Sequence, residues 1–161
     1  MSVEVSTAVI VCLAALGVLA FVDGIVVHLV RERLHRHPET RLEHLLHTGR
    51  AVVFPPILLL FFAGDAPALG LALLGVDQVL ELADMAIERR SRAYSGGLRS
   101  SEYLLHGSAL TARGAAIALT LSASGAAPAV QRFVHLLLPG AILGAILHVV
   151  LVVPVRRGAA A

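Results

Sequence analysis

The chain has no lysine and no tryptophan, one cysteine and only 4% aromatic residues in 161 positions. A single thiol, Cys12, sits inside an apolar run and permits no intrachain disulfide, which excludes a disulfide-stapled scaffold. Charge is also scarce. Asp, Glu and Arg together make up 15% of the residues, against about a quarter in soluble domains. All 13 basic residues are arginine, and they cluster at the ends of apolar runs. That distribution excludes a nucleic-acid partner and points to membrane topology. No nucleophile elbow, phosphate loop or dinucleotide fingerprint occurs, so no catalytic residue is assigned.

What is present is apolar: 57% of the chain is hydrophobic, in recurring runs of about 20 residues. Five segments, 7–30, 44–63, 67–88, 103–122 and 132–153, predict an all-α integral membrane bundle of five transmembrane helices forming a single domain. Each is long enough to cross about 30 Å of hydrocarbon at 1.5 Å per residue. The first has no basic leader and is too long for a signal peptide, so it is read as retained.

Arg31, Arg33, Arg36, Arg41 and Arg50 lie in or near the first loop, Arg89, Arg90, Arg92 and Arg99 flank the third, and Arg156 and Arg157 follow the last span. The second loop has no arginine, and the fourth has only Arg132 near it. Positive charge is retained on the cytoplasmic side, which places the N-terminus outside and the C-terminus inside. Pro55, Pro56 and Pro139 should kink the second and fifth spans. Gly140 and Gly144 form a G-x-x-x-G that allows close helix approach, chiefly for packing within the bundle and alternatively in a homo-oligomer.

An ionisable side chain in a span costs about 2.5–3.5 kcal/mol on insertion scales and needs a partner or a purpose. Counted from the nearest cytoplasmic arginine, Asp23, Glu81 and His148 lie roughly 12 Å deep, His106 about 10 Å and His47 about 9 Å. Five helices thus place a carboxylate or imidazole in one layer of the cytoplasmic half. Asp77, Glu81, Asp84 and Glu88 share one helix face, as do Glu102, His106 and Arg113. Asp23 and His28 are five residues and about 140° apart on an α-helix. They cannot both face one centre without distortion, so His28 ranks behind Asp23. Asp77 and Arg113 read as a buried ion pair, Glu88 as a solvated interface residue, and His35 and His37 as solvated loop residues. Glu102 also suits a helix N-terminus.

The second span opens with EHLLH (43–47) and the fourth with EYLLH (102–106), each about 20 residues after a buried acid, Asp23 or Glu81. This suggests a tandem helical-hairpin repeat with a site at the interface. Mixed carboxylates and imidazoles suit a transition metal such as iron, copper or zinc better than magnesium or calcium. The candidate ligands are Asp23, His47, Glu81, Asp84, Glu102 and His106, with His28 and His148 binding directly or orienting a ligand.

The segment F-V-D-G-I-V-V-H, residues 21–28, resembles the opening of a family of uncharacterised bacterial integral membrane proteins. Asp23, Gly24, Ile25, His28 and His35 match its D-G-I-x-x-H pattern and following histidine, and Glu43 and His47 match the acid and histidine of its second span. The resemblance covers the first third of the chain. Where that family carries paired histidines in the third span, this sequence has Ala86 and Ile87. A multi-pass protein of the bacterial inner membrane is implied.

The resulting expectation is a membrane protein with a mono- or dinuclear Asp/Glu/His metal site, serving an oxidoreductase with a lipophilic substrate. Its alternatives are a divalent-metal transporter or sensor, a b-type haem protein ligated by His47 and His106, and a structural membrane subunit.

Overall fold

A computed structural model describes residues 1–123 and 125–152. Val153, Ser124, Arg156 and Arg157, which the span and topology readings used, lie outside the described residues. Within them the protein is all-helical and has no strand.

Ser2 opens the first helix, its Oγ accepting the Val5 N–H at 3.3 Å and satisfying one of the orphan donors of the first turn. Helix α1 (Val3–Phe21) continues without a break into a π-helical segment, Val22–Arg31. Two short 3₁₀ turns follow, and Thr40 Oγ1 closes this loop by donating to the Leu34 carbonyl at 2.7 Å. Helix α2 (Arg41–Ile57) contains Pro55 and Pro56 and passes into a second π-helical segment, Leu58–Phe62. Two successive prolines remove two N–H donors, and the bonding beyond them is wider, as in Ala63 N–H to Leu58 O at 2.9 Å. Helix α3 (Pro67–Ser91) and helix α5 (Pro128–Val152) both begin on a proline, whose missing N–H is harmless there. Helix α4 spans Ser100–Leu121.

Helix α1 packs on α4, α2 packs on α3, and α5 lies against α1 and α2. The apolar core occupies one end of the bundle and joins Val9, Leu13, Phe61, Phe62, Leu74, Ala116 and Val134. At the other end the interior is polar. Leu104, Leu136 and Leu143 are 72%, 74% and 67% exposed while Glu43, Glu102 and Arg92 are at most 2% exposed. Leucine outside and carboxylate inside inverts the order of a water-soluble protein and suits a lipid surround.

Four helical stretches are long and apolar enough to cross a membrane: Val3–Arg36, Pro38–Phe62, Ser100–Leu121 and Pro128–Val152. Helix α3 matches the expected third span in position, but its row of acids and arginines leaves it outside that set. Two points are new. Arg50, near the first loop and inside the expected second span, lies within α2 and is paired with Asp77 and Glu81. Gly140 and Gly144 do not serve packing inside the bundle, since a Cβ at either would meet no atom within 4 Å among the described residues.

Gly70 is the glycine that packing requires. A Cβ there would stand 2.5 Å from the Phe61 backbone nitrogen and 2.7 Å from its Cα, so α3 reaches the second π segment only because that hydrogen replaces a methyl. Gly70→Ala is expected to destabilise the bundle by about 1–3 kcal/mol through overpacking. Gly75→Ala, on the open face of the same helix, should be neutral or slightly stabilising. Thermal unfolding of both variants in detergent, followed by circular dichroism, checks the contrast.

Candidate metal centre

The π-helical turn after α1 brings together two residues that an α-helix would separate. Bonding from i to i+5 widens the turn, so residues five apart fall on nearly the same face. The Glu32 N–H donates to Val27 O at 2.8 Å in this pattern. Asp23 and His28 consequently face the same side, with His28 Nε2 3.6 Å from Asp23 Oδ1. The distortion that the spacing demanded is present, and His28 moves from the margin of the site to its middle.

Seven carboxylates are buried: Asp23, Glu43, Asp77, Glu81, Asp84, Glu88 and Glu102. Arginine holds four of them. Toward the apolar core, Arg50 donates to Asp77 at 3.2 Å and to Glu81 at 2.5 Å. Arg113 pairs with the same two acids and donates to Gln78 Oε1 at 2.7 Å. Toward the opposite end, Arg92 lies 2.8 Å from Glu43 Oε1, 3.5 Å from Glu102 and 3.3 Å from Glu32. Ser91 also donates to Glu43, and Arg31 donates to Glu102 at 2.5 Å. Burial disfavours the Arg92 cation, but Glu43, Glu102 and Glu32 outweigh it and hold its pKa above the ordinary value.

The remaining three acids, Asp23, Asp84 and Glu88, face histidines. His106 bridges two of them, with Nε2 2.9 Å from Asp23 Oδ1 and Nδ1 3.5 Å from Glu88 Oε2. His47 Nε2 stands 3.0 Å from Asp84 Oδ2, without the alignment of a hydrogen bond. The His28 ring lies between the two histidines, its centroid 3.9 Å from that of His47 and 5.9 Å from that of His106. His28 is fully buried, and neither of its ring nitrogens has a hydrogen-bond partner among the described residues. His47 Nε2, Asp84 Oδ1 and Glu88 Oε1 are likewise buried and unpartnered. An unsatisfied buried polar group costs about 1–3 kcal/mol. Several in one layer call for a ligand that accepts their lone pairs.

Three groups of ligand atoms converge to within 4.8 Å: Asp23 with His28 and His106, His28 with Glu43 and His47, and His28 with Glu88 and Glu102. All three contain His28 and could hold a metal ion. The first is the least encumbered, because Arg92 and its neighbours already engage Glu43 and Glu102.

Among the expected ligands, Asp23, His28, His47, Asp84 and His106 meet in this layer. Glu81 instead joins Asp77 in the Arg50/Arg113 set, one turn along α3, where the anticipated Asp77–Arg113 pair is found. Glu102 lies at the edge, where Arg31 and Arg92 hold it. It stands in the first turn of α4, the helix-terminal position that the sequence suits. His148 lies beside the layer, its ring centroid 5.6 Å from that of His44. Glu88 is not solvated but 4% exposed and set against His106. Its place on the same stripe as Asp84 was the signal; the adjacent Arg89 and Arg90 obscured it. His35 and His37 are half-buried, not free in solvent, and His37 packs on Tyr94 at 5.0 Å.

Arg92 is the residue whose loss would expose the electrostatics of this end. Arg92→Met leaves Glu43 and Glu102 buried without their shared cation and is expected to cost about 3–5 kcal/mol. Arg92→Lys, a compact charge without the planar fork, should recover only part of this. The folded fraction after detergent extraction, read by size-exclusion chromatography and thermal unfolding, measures both.

The chain matches no family model, no curated protein and no solved structure, so the centre is read from its own geometry.

Proposed function

We propose that this is a multi-pass membrane protein whose polar layer holds a transition metal, with Asp23, His28 and His106 as one ligand set and His47 and Asp84 as a second beside it. The observation that carries this reading is His28, fully buried with both ring nitrogens unpartnered and common to every converging group. Glu88, against His106 Nδ1, is placed to fix that ring's orientation and raise its basicity. Asp/His donor sets suit iron, copper or zinc. Under this reading α3 crosses the bilayer with the other four helices, its acids neutralised from within, and the arginine-rich loops face the cytoplasm.

A dinuclear centre is supported by the way the contacts cross. Asp23 precedes Arg31 by the same interval as Asp84 precedes Arg92, and Glu43 precedes His47 as Glu102 precedes His106. Asp23 meets His106 while Asp84 meets His47, and Arg31 meets Glu102 while Arg92 meets Glu43. Two like hairpins packed about a pseudo-twofold axis would pair in this manner, offering one Asp–His pair per ion. The resemblance to the D-G-I-x-x-H membrane family fits, because that motif supplies the i, i+5 pair of the π turn.

A resident, redox-active ion is favoured over a conducted one, since Arg50 and Arg113 stand across the side of the layer that faces the apolar core. Its setting among apolar helices favours an oxidoreductase with a lipophilic substrate. Haem between His47 and His106 is disfavoured, because His28 packs directly on His47 at 3.9 Å.

Metal analysis by mass spectrometry, with an optical spectrum, tests the reading on detergent-purified protein supplied with iron, copper and zinc. One or two equivalents per chain are expected. His28→Ala and His106→Ala should lose metal with the fold retained, whereas Glu81→Gln should keep it. Folded protein that stays metal-free under all three metals overturns the proposal in favour of a structural polar layer. A Soret band would replace it with the haem reading.

A further inference from the structure

A second group of imidazoles stands apart from the centre. His44 and His148 are 2% and 4% exposed. Neither ring nitrogen of His44, nor Nδ1 of His148 or of His35, has a hydrogen-bond partner among the described residues. The His44 ring centroid is 5.6 Å from that of His148 and 6.0 Å from that of His35. Two imidazoles on one tetrahedral ion, with Zn–N bonds of about 2.0–2.1 Å, have centroids about 5 Å apart. His44 thus stands close to that spacing from each of the other two rings and is the hinge of the group.

This group is also the threshold between solvent and the centre. His35 and His44 line a cleft of about 220 Å³ at the loop end of the bundle, walled by Leu34, Leu45, Leu151 and Val152. Behind the cleft, His44 and His47 are three residues apart on α2, a step of about 4.5 Å along the axis. His148 Nε2 lies 3.4 Å from where a Cβ of Gly24 would stand, next to Asp23. On the far side of the centre, Arg50 and Arg113 oppose a cation. Arg36 and Arg41 also line the cleft, and both are exposed, so their charges are solvated by water where those of Arg50 and Arg113 are buried in ion pairs.

We infer that His35, His44 and His148 form an outer, all-imidazole metal site through which the cation reaches the centre; this rests on the metal reading given above. No carboxylate lines the cleft among the described residues. Neutral nitrogen donors alone favour zinc, cobalt, nickel and copper over magnesium and calcium, so selection takes place here, before the ion meets the carboxylates.

The test uses full-length apoprotein in detergent with Zn²⁺ and Co²⁺ as probes. In His44→Leu/His148→Leu, zinc uptake timed with a chromophoric chelator should slow at least tenfold while reaching the wild-type stoichiometry. His35→Ala, a substitution at a half-buried loop position, should slow it a few-fold and guards against misfolding of the double variant. Asp23→Asn/His106→Ala should lose tight binding yet keep a weaker Co²⁺ site with a visible tetrahedral band, and that band should vanish when His44→Leu is added. Unchanged uptake in the histidine variants, or no cobalt band in Asp23→Asn/His106→Ala, overturns the outer site alone. If the wild type shows the weak cobalt band but no tight site, the centre fails and the outer site stands. Wild-type protein that binds neither ion defeats both.

Discussion

Neutralising charge away from water constrains this bundle more than any apolar contact. Removing an ion from water costs several kcal/mol even after the protein relaxes, and an opposite charge repays that only at close range with good geometry. Seven buried carboxylates face this requirement, and the arginines are not spread evenly among them. Arg50 and Arg113 neutralise Asp77 and Glu81 on one side, while Arg31 and Arg92 neutralise Glu43 and Glu102 on the other. Between these two sets the carboxylates of Asp23, Asp84 and Glu88 meet only imidazole among the described residues. Fixed cations would repel a metal ion from their vicinity; histidines, which can lose a proton and offer a lone pair, do not. The ion pairs thus define by exclusion where a cation can sit.

The two π-helical segments have different origins. Leu58–Phe62 follows directly on two prolines, which break the regular bonding of the helix just before it. Val22–Arg31 contains no proline, so nothing in its sequence forces the wider turn. What it achieves is geometric: Asp23 and His28 come onto one face. Wide turns are less favourable than α-helical ones and concentrate at functional sites. Here the widened turn delivers the imidazole that every converging ligand group shares.

Much of this was legible in the chain itself, and the failures have physical causes. Apolar runs located the five helices to within a few residues, because lipid imposes helix length directly. The single-face stripe of Asp77, Glu81, Asp84 and Glu88 identified the buried side of α3, since 3.6-residue periodicity fixes facing. Periodicity does not fix partners. Glu81 was assigned to the layer by depth alone, but depth cannot reveal that Arg50, one turn beyond His47 on the neighbouring helix, reaches across to it. Arg50 and Arg92 count toward topology by their nearness to the loops, because a sequence does not distinguish an arginine that marks topology from one buried in an ion pair. His28 was ranked low on ideal α-helical angles, a rule that fails wherever the turn widens.

The π turn also makes the two halves of the centre unlike. Aligned on the shared Asp-to-Arg interval, Asp23 corresponds to Asp84 and not to Glu81, and the position five residues on is His28 in the first hairpin and Arg89 in the second. In the π turn the fifth residue returns to the interior; in the regular α-helix of α3 it does not, and Arg89 is exposed. The residue that does return to the interior there is the fourth, Glu88. A difference of one residue in helical register therefore places the His28 imidazole between His47 and His106 and the Glu88 carboxylate against His106 Nδ1. Both groups bear on the Asp23–His106 pair, His28 Nε2 at 3.6 Å from Asp23 and Glu88 at 3.5 Å from His106. Donor type tunes affinity and redox potential, so if the polar layer holds two ions as proposed, the two positions would differ in chemistry.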